Sequence, residues 1–194
     1  MSKTESTMVK LGTIAPPFEL RDVISGRGMS RDDIFASAGD EARGLLVMFI
    51  CVHCPYVKHV EAELAKISED YEGLIAMVAI QSNDIVAYPD DGPAGMIDQA
   101  ARVGFRFPYL LDEMQEVARE YDAACTPDFF LFDARMRLAY RGQLDGSRPR
   151  RGDSGNDVPV TGQDLRAAMD AVIAGKAPNP EQRTSLGCNI KWKS

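Results

Sequence analysis

Leu45-Leu46-Val47-Met48-Phe49-Ile50-Cys51-Val52-His53-Cys54 is the stretch on which the fold turns. Its first six residues form an unbroken apolar run, the pattern of a strand covered on both faces. Directly after it, Val57, Val60, Leu64, Ile67 and Tyr71 recur at helical spacing, with Lys58, Glu61, Glu63 and Lys66 facing elsewhere. Two cysteines three positions apart thus sit where a buried strand hands over to an amphipathic helix. Unpaired backbone N–H groups and the helix dipole at such a start favour a thiolate over a thiol. Two cysteines on one turn can also close a disulfide. The residue types and their placement suit thiol–disulfide exchange.

Downstream, Leu74 to Ile80 reads as a second buried strand, and residues 81–92 as a loop rich in Asp, Pro and Gly. Pro93 opens a helix carrying Met96, Ile97, Ala100 and Val103, since Pro suits a first turn. Phe107 to Leu111 is a short extended segment. Asp112 with Gln115 resembles a capping box that opens a helix through Tyr121. Phe129 to Phe132 is a third buried strand, turned by Asp133-Ala134-Arg135 into an antiparallel partner at Leu138 to Leu144. Thr161 is placed to cap a last helix, with Leu165, Met169, Val172 and Ile173 on its inner face and Gly175 at its end. Upstream, Leu11 to Leu20 leads into a short strand, and Asp22 to Arg31, with Gly26 and Gly28, reads as a hairpin. The order predicts parallel strand–helix–strand units with a late antiparallel edge: an α/β chain with a mixed sheet and helices on both faces.

At 194 residues with 45% hydrophobic, the chain can bury one sizeable core, so one domain over 1–194 is expected. A net charge of −7 argues against a nucleic-acid surface. The first residues carry no apolar signal core, and the run from Leu45 to Val52 is too short to cross a bilayer. A cytoplasmic location without nucleic-acid or membrane partners is the resulting expectation. Four cysteines in a reducing compartment are not a structural disulfide framework, which leaves catalysis, metal binding or packing.

Cys51-x-x-Cys54 between strand and helix, followed 71 positions later by Cys125-Thr126-Pro127 before a strand, resembles the thioredoxin fold. Gly12-x-x-Ala15-Pro16-x-Phe18 resembles the branch that includes peroxiredoxins and membrane-tethered thiol oxidoreductases. Residues 51–59, 121–133, 140–145 and 187–193 look like a CxxC-containing bacterial subgroup of the peroxiredoxin/thiol-specific antioxidant (AhpC/TSA-like) superfamily. The resemblance implies a thioredoxin-like mixed sheet with an N-terminal extension and a C-terminal tail. It implies that Cys51 attacks a substrate disulfide and that Cys54 resolves the mixed disulfide. It also implies that Pro127 is cis and faces the dithiol, leaving the Thr126 backbone free to pair with an extended substrate. No cofactor is implied. The partners are a protein or small-molecule disulfide and a thiol reductant.

His53, between the cysteines, can stabilise the Cys51 thiolate, which would make the disulfide more oxidising. His59 falls on the polar flank of the helix. Arg148, Arg150 and Arg151 form a basic loop cluster beside Asp153 and Asp157, read as solvated. Two other function classes compete. A zinc-holding module would use Cys-x-x-Cys as half a site, but Cys125 and Cys188 are not a second close pair, so no metal is expected. A thiol peroxidase would carry Thr three residues before its cysteine. Met48 holds that place before Cys51, and Cys51 holds it before Cys54. The tail alternates Ile190 and Trp192 with Lys191 and Lys193, so it should pack as a strand-like edge. It is expected to bring Cys188 near Cys125 as an auxiliary thiol pair.

Overall fold

The Leu45–Ile50 run is buried along its whole length because it lies in the middle of a sheet with helices on both sides. The structure, a computed structural model, describes residues 3–150 and 155–193. In chain order its strands are β1 (Lys3–Glu5), β2 (Glu19–Asp22), β3 (Gly28–Ser30), β4 (Gly44–Phe49), β5 (Ile75–Gln81), β6 (Tyr109–Leu111), β7 (Cys125–Thr126), β8 (Asp128–Asp133), β9 (Leu138–Gly142) and β10 (Leu186–Asn189). Its helices are α1 (Arg31–Ser37), α2 (Pro55–Asp70), α3 (Pro93–Val103), α4 (Glu116–Glu120) and α5 (Gln163–Ile173). The main sheet runs β3-β2-β6-β5-β4-β8-β9. Its centre, β4-β5-β6, is parallel, and β2, β8 and β9 join antiparallel.

The two-residue period of the strands sorts their side chains by face. Leu46, Met48 and Ile50 of β4 and its extension join Phe129 and Leu131 of β8 under α2, α3 and α5. Leu45, Val47 and Phe49 join Phe130 and Phe132 under α1 and α4. Glu61 and Glu63, expected to face away from the core, are buried on either side of α2. Glu61 accepts from Arg102 and Gln99 of α3 at 2.8 and 3.0 Å, and Glu63 from Arg166 of α5 at 2.8 Å. The charged stripe of α2 is thus where the neighbouring helices pair with it. On α3, Gln99 rather than Ile97 turns inward, and Ile97 is exposed.

Two helix starts differ from the expected caps. Asp112 does not cap at its own position. Its carboxylate reaches forward to the Val117 and Ala118 amides, and α4 starts after Gln115, which adopts a left-handed φ of 62°. Thr161 does not cap α5 either. The Asp145 carboxylate takes the Thr161 and Gly162 amides, each at 2.7 Å. In the basic loop, Arg148 bonds the loop's own carbonyls and Gln143, and Arg150 pairs with Asp157. Arg151 and Asp153 lie outside the described residues.

The tail does pack on the body, but not as an edge. β10 is the middle strand of a second sheet, β1-β10-β7. Gln115 fastens the residues beyond β10, donating to the Lys191 carbonyl at 2.8 Å and accepting from the Lys193 amide at 2.7 Å. Asn83 Oδ1 accepts from the Lys191 amide at 2.8 Å. Ile190 is buried, while Trp192 is half-exposed under the Arg119 guanidinium. Gly187 allows this docking: a Cβ there would stand 2.0 Å from the Thr126 carbonyl oxygen. Gly187→Ala should therefore push β10 off β7 and cost about 1–3 kcal/mol. An unchanged urea midpoint would show that the tail contributes nothing to stability.

Candidate functional site

β4 ends beside β5, and the Ile50 amide still bonds the Ile80 carbonyl at 3.1 Å, so the ladder delivers Cys51 at the sheet's end. Cys54 is the N-cap of α2, with φ −68° and ψ 123°, and Pro55 takes the first helical position. Cys54, not Cys51, is thus the cysteine at the helix start. Neither is exposed: Cys51 is 1% and Cys54 0% accessible. The Thr126–Pro127 bond is cis and faces the pair. Thr126 touches both thiols, with its Oγ1 3.3 Å from Cys51 Sγ and its carbonyl oxygen 3.1 Å from Cys54 Sγ. On one side its strand is paired with the chain's own tail, Cys188 standing opposite Thr126, and β7 is the edge of that sheet.

That register also decides between the two remaining cysteines. Cys188 pairs with Thr126, whereas Cys125 pairs with Asn189. Neighbours along a strand face opposite ways, so Cys188 turns toward the dithiol and Cys125 turns away. Cys188 shares the apolar cluster of Cys51 and Cys54 and hydrogen-bonds Cys54. Cys125 instead points its S–H at the Pro127 carbonyl, 3.6 Å away, and burial pushes its thiol far up. The expected Cys125–Cys188 pair is not formed, because adjacent residues on paired strands cannot both face one side.

Asp91 is the residue that sequence reasoning missed. It is fully buried, in a 3₁₀ turn inside the loop expected over residues 81–92. Its Oδ1 accepts the Val52 and His53 amides at 2.9 and 3.1 Å, and its Oδ2 accepts from Asn83 Nδ2 at 2.8 Å. His53 Nδ1 stands 2.5 Å from the same Oδ2. The ring makes no well-aligned hydrogen bond there, so the contact is best described as an ion pair when the imidazole is protonated. The ring also stacks on Tyr88, 5.5 Å away and 9° from parallel. Burial would raise the Asp91 carboxyl, but the adjoining His53 ring and amide and the Asn83 hydrogen bond outweigh it and hold it below the usual range.

These groups divide one proton unequally between the cysteines. Cys51 is raised by donating its S–H to Cys54, by burial and by the Asp91 charge. Cys54 is lowered by donors from Cys188 and Cys51, then Thr126 and the Val57 amide, against its own burial. The Thr126 carbonyl near Cys54 favours an S–H, while the donors from Cys188 and Cys51 pull the Cys54 thiol down. The direction of these effects favours a thiolate at Cys54 over one at Cys51. The physical reason is that the amides beside Cys51 are taken by a carboxylate, while the helix start belongs to Cys54.

Cys51 Sγ, a His53 ring nitrogen and an Asp91 oxygen lie within 4.8 Å of one another, three donors of kinds that zinc accepts. Cys125 takes no part in this group. His59, expected on the surface, is half-buried against Ser147 Oγ at 3.1 Å, and burial lowers its pKa. Among the described residues no helix is long and apolar enough to cross a membrane.

The model of the AhpC/TSA family matches residues 11–141, a span that contains Cys51, Cys54, Asp91 and Thr126-Pro127. An uncharacterized conserved protein from Geobacillus kaustophilus is 47% identical, with a TM-score of 0.91 over 100% of this chain and 97% of its own. A hypothetical protein from Sinorhizobium meliloti is 43% identical, with a TM-score of 0.90 over 98% of this chain and 99% of its own. The thioredoxin domain of a thiol-disulfide oxidoreductase from Bacteroides vulgatus is 15% identical, with a TM-score of 0.56 over 69% of this chain and 88% of its own. It shares the fold. No curated protein matches the chain.

Proposed function

We propose that this chain, which belongs to the AhpC/TSA family and has a thioredoxin-like fold, is a thiol–disulfide oxidoreductase working through Cys51 and Cys54. The observation that carries the reading is the hydrogen-bonded pair of thiols against cis-Pro127, with Thr126 in contact with both. Cys54 is enclosed by Thr126, Cys188 and α2, whereas Cys51 adjoins the half-buried Val52 and His53. Cys51 is therefore the attacking group.

The resting thiolate of Cys54 serves as its base. The Cys51 proton passes along the S–H···S bond, and the Cys51 thiolate attacks one sulfur of the substrate disulfide. A mixed disulfide forms and one substrate thiolate leaves. Cys54 then attacks Cys51 Sγ, giving a Cys51–Cys54 disulfide, and its proton goes to the second departing thiolate. The substrate gains two electrons and the dithiol loses two; the reverse sequence oxidises a dithiol substrate. Partners of this chemistry are a protein or small-molecule disulfide and a thiol reductant. A cytoplasmic setting suits the reading, because that compartment keeps thiols reduced and supplies such a reductant.

One observation favours peroxide as a second substrate class. Thr126 brings a hydroxyl to Cys51 from a different strand, although none lies three residues before it. Insulin-disulfide reduction and hydrogen peroxide turnover, assayed side by side with one thiol reductant, test the two readings. Disulfide reduction well above background with little peroxide loss is expected. Peroxide turnover without disulfide reduction would overturn the proposal.

His53 and Asp91 act on the potential from opposite sides. Asp91→Asn removes the charge that opposes a Cys51 thiolate, so the couple should become more oxidising. His53→Ala leaves Asp91 uncompensated and should make it more reducing. A shift of about tenfold in the exchange constant with glutathione, or ~30 mV, is the expected scale for each. Thiolate absorbance against pH with a glutathione titration measures both. Shifts of the same sign would show that the pair only holds the loop.

A further inference from the structure

We propose that Cys188 is a third redox-active thiol, exchanging with Cys54 so that the tail strand becomes joined to the start of α2 by a Cys54–Cys188 disulfide. The inference rests on the reading of Cys51 and Cys54 as a redox pair and extends it to a third sulfur. The register of β10 against β7 puts Cys188 opposite Thr126, the residue that touches both thiols of the pair. Cys188 hydrogen-bonds Cys54 from within the same apolar cluster and is 2% accessible, so its sulfur faces the dithiol and not solvent. The placement is built in. Gly187 permits the close approach of β10 to the Thr126 carbonyl, and Gln115 and Asn83 fasten the chain beyond it. Cys125 is an internal contrast: it is equally buried and one strand away, but its register partner is Asn189 and its sulfur points to the Pro127 carbonyl.

The exchange balances within the chain. Starting from the Cys51–Cys54 disulfide, Cys188 loses its proton and attacks Cys54 Sγ. The Cys54–Cys188 bond forms, the Cys51–Cys54 bond breaks, and Cys51 leaves as a thiolate that takes up the proton. No electron enters or leaves, and the protein stays oxidised by two electrons. Cys51 is returned as a thiol while the oxidising equivalent is stored under the tail, and β10 is covalently held against Thr126.

Peptide mapping under non-reducing conditions tests this, with free thiols alkylated after equilibration in oxidised glutathione. In wild type, a fraction of the protein should carry the Cys54 peptide linked to the Cys188 peptide, beside the Cys51–Cys54 form. In Cys51→Ser, where Cys54 is too enclosed for glutathione to reach, hydrogen peroxide should oxidise Cys54 to a sulfenic acid whose oxygen Cys188 displaces as water, making the Cys54–Cys188 link the main product. In the double variant Cys51→Ser/Cys188→Ser treated with the same peroxide, that link is absent and the Cys54 sulfenic acid persists to be captured by dimedone. Cys125→Ser should leave the pattern of wild type unchanged. Absence of the Cys54–Cys188 link from both wild type and Cys51→Ser overturns the inference. If wild type still closes Cys51–Cys54, the oxidoreductase reading stands; if it closes neither link, that reading falls as well.

Discussion

Cys51→Ser should reduce disulfide exchange by on the order of 10³-fold or more, to the level of the assay without protein. A hydroxyl in place of the sulfur cannot form the mixed disulfide, and the thiols that remain beside it, Cys54 and Cys188, are too enclosed to meet a disulfide substrate. Cys54→Ser should behave differently. The Cys51 sulfur can still attack, but the group that resolves the adduct is gone, so stable mixed disulfides with substrate should accumulate. Two features make this sharper than a loss-of-function pair. Cys54 is also the resting base, so Cys54→Ser should slow the first attack as well, at a pH where Cys51 is mostly protonated. Raising the pH should restore part of that rate, because the Cys51 thiol is pushed upward by burial and Asp91 even without its cysteine neighbour. Single-turnover mixing with a chromogenic disulfide, followed by mass spectrometry of the trapped adduct, reads both steps. Full turnover by Cys51→Ser would remove Cys51 from the mechanism.

The parts of this site legible in the sequence are those written in a short window. The Leu45–Ile50 run and the helical recurrence from Val57 to Tyr71 each state their own burial, and β4 and α2 lie where those patterns put them. The dithiol came with them. Asp91 was not legible, because an acid in a segment with Pro89, Asp90 and Gly92 has the composition of a solvated turn. Only the fold brings it under the Val52 and His53 amides. Glu61 and Glu63 misled for a related reason: helical period marks a polar stripe but not the arginines of α3 and α5 that cover it. For the tail, the alternation from Ile190 to Lys193 pointed to an edge strand, but the strand forms just before it, at Leu186–Asn189, and Lys191 is buried while Trp192 is exposed. A one-residue change of register exchanges which side chain faces which side, and so whether Cys125 or Cys188 meets the dithiol rests on the pairing itself.

Asp128→Asn should raise stability by several kcal/mol at pH 8 and by little at pH 4.5. Asp128 follows cis-Pro127 in β8 and is paired with Phe49 of β4, so its carboxyl enters the interior with no exposure. Oδ2 accepts the Ala124 amide at 3.3 Å, but Oδ1 has no hydrogen-bond partner among the described residues. Burial outweighs the nearby amides and pushes its pKa up to about 8. An unfolded Asp titrates near ~3.9. Between these values the unfolded chain releases its proton while the folded chain keeps it, so the folded state binds more protons and stability falls as pH rises. The penalty is absent below about pH 4 and complete above about pH 8. Four pKa units correspond to about 5 kcal/mol, to order of magnitude. Asparagine has the same shape and does not ionise, so it removes the pH-dependent part. Asp91, held below its usual pKa, works in the opposite sense and only at acid pH, where its contribution fades as it protonates. Urea unfolding of variant and wild type at both pH values isolates Asp128, because every other titrating group is common to the two proteins. A stability difference that stays constant from pH 4.5 to 8 would mean that Asp128 is ionised in the folded protein and that some group near Oδ1 stabilises its charge.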